Sequence, residues 1–249
     1  MDPSFSFLRK ALAGLVAGLT GAATFLLIGN GGGIRWFPPA VVFPLVGLAV
    51  LAGILLPLWW QWRKPAPATS QRIYAVLLAS IRYLTAFNVA SFGWKKLFGL
   101  QFIVPPAIAS QPINQLSGEW LTWFYFGYSP AYGLLIAGIQ LLGASLLLFR
   151  RTTLLGAVVL GTVLLNLSLI NIFYHLNAGA LVQSLVATLD VLFLLGLHYK
   201  QLTRFFLAAT TPLLSSPPPR TWATPWLKFS AIALSLLFTI YLRMLFKGH

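Results

Sequence analysis

The sequence contains no cysteine, and only three of its 249 residues are acidic. The first absence excludes any mechanism built on a thiol, including disulfide exchange within a membrane. The second makes each carboxylate informative. Asp190 stands out because residues 180–197 around it carry almost no other charge. A carboxylate inside an apolar helix is costly, so it marks either a packing partner or a functional site. Histidine is also scarce, at three residues. His175 and His198 fall at opposite ends of two successive apolar runs, too far apart to share a haem, and no cluster has metal-ligand spacing, so no metal site is expected.

Charged residues make up only 8% of the chain, against 58% hydrophobic residues and a mean hydropathy of +0.83. That composition is that of an integral membrane protein. Crossing a hydrocarbon layer of about 30 Å takes about 20 residues of helix. Seven runs meet this length: 11–28, 40–60, 73–94, 130–149, 152–173, 180–199 and 226–246. They are continuously apolar, without the alternation of a transmembrane barrel, and helices satisfy their own backbone polar groups where lipid cannot. The expected fold is therefore all-α and polytopic, with seven transmembrane helices. All nine tryptophans fall at or near the proposed span ends, where amphipathic rings settle.

The net charge of +14 does not indicate nucleic acid, because no basic run exceeds two residues and the charges punctuate the spans. It indicates topology. With the amino terminus cytoplasmic, eleven of the 17 lysines and arginines lie on the inner side and five on the outer side, leaving Arg82 in the membrane. The positive-inside rule then places the carboxyl terminus outside a bacterial inner membrane, with anionic lipid headgroups as partners of the inner set. Arg9 and Lys10 precede an apolar run, as in a secretory signal; the run is longer than a signal core and no small-x-small cleavage site follows, so an uncleaved anchor is expected. Gly14, Gly18 and Ala22 share the four-residue spacing that lets helices approach closely. The Gly-rich segment 29–33 lacks the lysine and hydroxyl of a phosphate-binding loop and is read as a turn.

The chain divides unequally. Residues 1–72 form a two-helix extension read as packing material, and residues 73–206 a four-helix unit holding nearly all the polar side chains at membrane depth. Within it, loop 97–129 carries Pro105, Pro106, Pro112 and the aromatic stretch 120–128. A loop of that length is expected to lie on the membrane and cap the outer end of the unit. Residues 207–225 form a Pro/Ser-rich inner linker, and 226–249 a last transmembrane helix.

Arg82 is nine residues from the inner end of its run at Ile73, and Asp190 is nine from Tyr199. At the helical rise both lie roughly 13 Å from the inner surface. Gln140 shares that layer, Asn166 lies further out, and Asn88, Asn171, Tyr174, His175 and Gln183 further still, with Lys95, Lys96 and Glu119 near an outer mouth. Arg82 and Asp190 are expected to pair. Two readings stand: a polar ligand cavity formed by Arg82, Asn88, Lys96, Gln140, Asn166, Asn171, Tyr174 and Asp190, or the same groups holding the helices together by hydrogen bonds.

The segment Arg82-Tyr-Leu-Thr-Ala-Phe-Asn88, followed by Phe92-Gly-Trp-Lys-Lys96-Leu-Phe98, resembles the third-helix pattern of DoxX-like membrane proteins. So do Phe126-Gly-Tyr-Ser-Pro-Ala-Tyr132, Gly138-Ile-Gln-Leu-Leu-Gly143, Phe149-Arg-Arg-Thr-Thr-Leu-Leu-Gly156 and Asn171-Ile-Phe-Tyr174, in order, over about residues 73–206. Gln140 stands where such relatives often carry Glu, and His198 where they often carry Asp. The family takes its name from a membrane subunit of a thiosulfate:quinone oxidoreductase, and is more widely related to the membrane domains of vitamin-K-dependent carboxylases. The resemblance implies a four-helix core, a quinone or other amphiphile as ligand or cofactor, association with membrane redox chemistry, and a partner subunit or homo-oligomer. The alternative is a non-enzymatic structural, lipid-binding or partner-binding membrane component.

Overall fold

Proline and small polar residues set where the helices begin. The computed structural model describes residues 6–29, 37–208, 233–240 and 244, and the described residues contain helices and no strand. Among the described residues, six helices are long and apolar enough to cross a membrane: α1 (Phe7–Gly29), α2 (Pro39–Arg63), α3 (Pro67–Leu97), α6 (Pro130–Leu148), α7 (Thr153–Phe173) and α8 (Ala178–Leu197). Between α3 and α6 lie the short α4 (Pro106–Ala109) and α5 (Gly118–Tyr128). The chain is thus a multi-pass membrane protein. The seventh expected span, 226–246, and the linker 207–225 lie largely outside the described residues, as does the Gly-rich turn beyond Gly29.

Helices α2, α3 and α6 each start with proline in the first turn, where the missing N–H has no helical partner to lose. Ser129 Oγ caps α6 by accepting from Tyr132 N at 3.3 Å, and Asn177 Oδ1 caps α8 by accepting from Ala180 N at 3.0 Å. The start of α3 is six residues earlier than the apolar run at 73–94 suggests. Hydropathy ends at Gln71 and Arg72, but helix formation continues back to Pro67, so this first turn extends beyond the apolar layer.

Helices α3, α6, α7 and α8 close into a ring, each packing on the next. Its core joins Ile81, Leu147, Leu160, Val191 and Leu194 with small residues such as Ala86, Ala144 and Ala157. Helix α1 contributes Val16 to the same core and packs on both α3 and α8, as well as on α2. The separation of residues 1–72 as packing material therefore does not hold: Met1–Tyr199 is one compact unit, and α1 seals the seam between α3 and α8. The second unit, Lys200–His249, is helical over its described residues.

The expected close approach at Gly14 and Gly18 is present, and its partner is α2. A methyl group added to Gly18 would stand 2.8 Å from Ala49 O and 2.8 Å from Gly53 Cα. Pro57 cannot donate to Gly53 O in its own helix, and that carbonyl lies 2.7 Å from where a methyl on Gly14 would be. The outward faces of α2, α6 and α7 expose Leu48, Leu55, Leu135, Leu142 and Leu155. That inverted pattern suits lipid as the surrounding solvent.

Candidate functional site

Asp190 is 0% exposed and lies where α1, α3 and α8 converge. Thr20 Oγ1 of α1 is 2.8 Å from Asp190 Oδ1, and Thr85 Oγ1 of α3 donates to Oδ2 at 2.8 Å. Thr20 Oγ1 is also 2.7 Å from Val16 O, one turn back along α1. Nearer the long loop, Gln183 Nε2 donates to Ala23 O at 2.7 Å, a second bond between α8 and α1.

The expected Arg82–Asp190 pair does not form. Arg82 instead donates from Nε to Leu147 O at 2.9 Å and from Nη2 to Leu148 O at 2.8 Å. These carbonyls belong to the last turn of α6, which has no further backbone N–H to satisfy them and carries the negative end of the helix dipole. A planar guanidinium is suited to capping two adjacent carbonyls. Arg82 is therefore a cap on α6 supplied by α3, and Thr85, one turn on, faces Asp190.

The remaining expected residues separate by their angle around the helix. On α7, Leu164, Ser168 and Asn171 are buried along one stripe, whereas Asn166 is exposed on the opposite side and does not join Asp190. Ser168 Oγ and Thr188 Oγ1, 2.8 Å apart, make the α7–α8 link in its place. Asn171 Nδ2 donates to Ala180 O at 3.0 Å and to Ser184 Oγ at 2.8 Å. Tyr174 is 45% exposed at the end of α7. Its backbone carbonyl meets Gly118 so closely that any side chain there would collide.

Asn88 and Gln140 are buried with their side-chain oxygens unpaired, as is the oxygen of Gln101. Lys96 is 8% exposed and donates to Phe92 O at 3.5 Å. Its ammonium lies 5.6 Å from the centre of the Phe102 ring, within cation–π range. Phe102 stacks on Phe126 at 5.0 Å, and Phe126 on Tyr132 at 5.9 Å. A row of rings therefore connects Lys96 with the start of α6.

At the end of that row is a cavity of about 680 Å³. The long loop and α5 form it with the first residues of α6: Ile113, Leu116, Leu121 and Phe124 supply apolar surface, and Tyr125, Tyr128 and Tyr132 supply hydroxyls. None of the eight residues expected from the sequence lines it. Helix α5 packs on α6 and α7. Asn177 Nδ2 donates to Glu119 Oε1 at 2.7 Å, tying the start of α5 to the start of α8. Asn177→Ala removes both this tie and the α8 cap and is expected to lower stability by about 1–2 kcal/mol, read as a lower thermal midpoint in detergent.

The sequence alone does not single out Thr20, Thr85, Ser168 or Thr188, whose hydroxyls make these bonds. One signal was present on α1: Thr20 and Thr24 follow Gly14 and Gly18 on a face of small residues, which marks a helix in close contact with others. The aromatic stretch 120–128 was recognised, but as a cap and not as a cavity wall.

No protein-family model and no solved structure matches the chain. Over 119 residues it is 36% identical to the uncharacterised protein YwoB of Bacillus subtilis (strain 168), a match covering 47% of this chain and 72% of that protein. At that identity and coverage, this multi-pass helical membrane protein belongs to the family of YwoB.

Proposed function

We propose that this protein binds an amphiphile, a quinone or a lipid of similar shape, in the cavity under the long loop, and that it serves membrane redox chemistry through that ligand. The cavity carries this reading. Its volume falls within the range of small-molecule sites, and its lining combines a large apolar wall with a few polar groups. A quinone carbonyl could accept from a tyrosine hydroxyl there, while an isoprenoid tail could run along the exposed leucines of α6. The four-helix ring over residues 73–206 supports the DoxX-like resemblance, and Lys96, Asn88 and Gln140 retain unused hydrogen-bonding capacity on α3 and α6. The proposed setting is a bacterial inner membrane, with the Lys10 and Arg63 ends of α1 and α2 cytoplasmic, lipids around the bundle, and a partner subunit or second copy supplying or receiving electrons.

The test uses full-length protein purified in mild detergent. Mass spectrometry of an organic extract should find quinone or lipid, and a short-chain quinone should quench the fluorescence of Trp120 and Trp123 on α5. Leu121→Trp, which fills the cavity, should weaken that binding about tenfold or more, equivalent to about 1.4 kcal/mol, with little change in thermal midpoint. Equal binding by both proteins, or no binding by either, would reject the proposal.

A second reading has its own observation in support. Arg82, Asn171 and Asp190 all bond to partners within the bundle, which is the behaviour of groups that fix helix positions in a non-enzymatic membrane component.

A further inference from the structure

We infer that Asp190 is a buried proton-binding site, its carboxyl protonated on Oδ1 and held jointly by α1, α3 and α8. The protons available at Asp190 require this whether or not the cavity binds a ligand. A threonine hydroxyl has one proton to donate. Thr20 Oγ1 nevertheless lies 2.7 Å from Val16 O and 2.8 Å from Asp190 Oδ1. Neither a carbonyl nor a carboxylate can donate. If Asp190 were an anion, one of these two short oxygen–oxygen contacts would have no proton between its atoms and would be repulsive.

A neutral carboxyl removes the conflict. Its Oδ1–H donates to Thr20 Oγ1, Thr20 donates to Val16 O, and Thr85 donates to Oδ2. Every short contact then contains one proton. The surroundings agree, since Asp190 is 0% exposed and forms no ion pair among the described residues. The helices packed on α8 are α1, α3 and α7. Helix α7 carries no ionisable side chain. On α1, Lys10 donates to Gln61 Oε1 at 3.1 Å, and on α3 Arg82 and Lys96 donate to the backbone carbonyls already described. Arg9, Arg72 and Lys95 lie toward the helix ends and make no bond to Asp190. An ionised carboxylate enclosed without a counter-charge is strongly disfavoured, and such a group takes up a proton instead.

Infrared spectroscopy of the full-length protein in lipid nanodiscs at neutral pH tests this. The chain has three acidic residues, Asp2, Glu119 and Asp190, so carbon-13 aspartate in an Asp2→Asn background reports Asp190 alone without disturbing its bonds to Thr20 and Thr85. The expected result is an isotope-sensitive C=O stretch of a protonated carboxyl, absent from the further Asp190→Asn variant. Thr85→Val, which removes the donor to Oδ2, should shift that band to higher frequency. Asp190→Asn should fold normally, because its amide can donate to Thr20 and accept from Thr85 as the neutral acid does. Carboxylate stretches alone, or a protonated-carboxyl band that Thr85→Val leaves unmoved, would overturn the inference.

Discussion

Gly53→Leu is expected to destabilise the protein by about 3 kcal/mol, the upper end of what overpacking a close contact costs. The side chain would enter the α1–α2 crossing. A Cβ at this position stands 2.7 Å from Gly14 O and 2.9 Å from Gly18 Cα. These atoms are backbone, so no rotamer change can relieve the collision and the helices must separate. Separation would reach further than the crossing itself, because α1 also carries Thr20 to Asp190 and Ala23 O to Gln183. Gly47→Leu on the same helix is the control. Nothing lies within 4 Å of its added Cβ, and its effect should stay within about 0.5 kcal/mol. Reversible unfolding in mixed detergent micelles gives both values. Equal effects at the two positions would contradict the close crossing.

Arg82→Ala is expected to cost about 3 kcal/mol, the order of magnitude for two hydrogen bonds from a charged donor to carbonyls left without partners. Leu147 O and Leu148 O would lose their donors at the end of α6, where the helix has no further backbone N–H of its own to replace them. Arg82→Lys should recover about half of the loss, since an ammonium on a flexible stem cannot hold the planar two-carbonyl geometry. A double-mutant cycle separates this role from an ion pair. With Asp190→Asn as the second change, the coupling energy should lie below about 0.5 kcal/mol, because the two residues share no partner. A coupling of several kcal/mol would restore the pairing with Asp190.

How far the site could be read from the sequence depends on which coordinate is asked for. Depth in the membrane follows from counting residues, and Arg82 and Asp190 were expected at similar depth for that reason. Angle around the helix axis does not follow. The spans are apolar almost all round, so no polar face announces which side of α7 turns inward, and the expectation named Asn166 and not Ser168. Packing decides between them: Ser168 continues the buried stripe of Leu164 and Asn171, and Asn166 points away. Arg82 shows the same limit in another form. Its natural partner by charge was Asp190, but the unpaired carbonyls at the end of α6 are a competing acceptor that no local pattern reveals.

The sequence by itself determined that this is a multi-pass helical membrane protein and approximately where six of its spans run. These properties are local, because a helix must satisfy its own backbone in lipid and must present about 20 apolar residues to cross it. Only the tertiary structure decided that α1 belongs to the core, that Thr20 and Thr85 hold Asp190, that Arg82 caps α6, and that a cavity lies under the loop. Those contacts join residues up to 170 positions apart, and they depend on how each helix is rotated against its neighbours. That rotation is set by the fit of small residues at the crossings and not by the hydropathy of any one span.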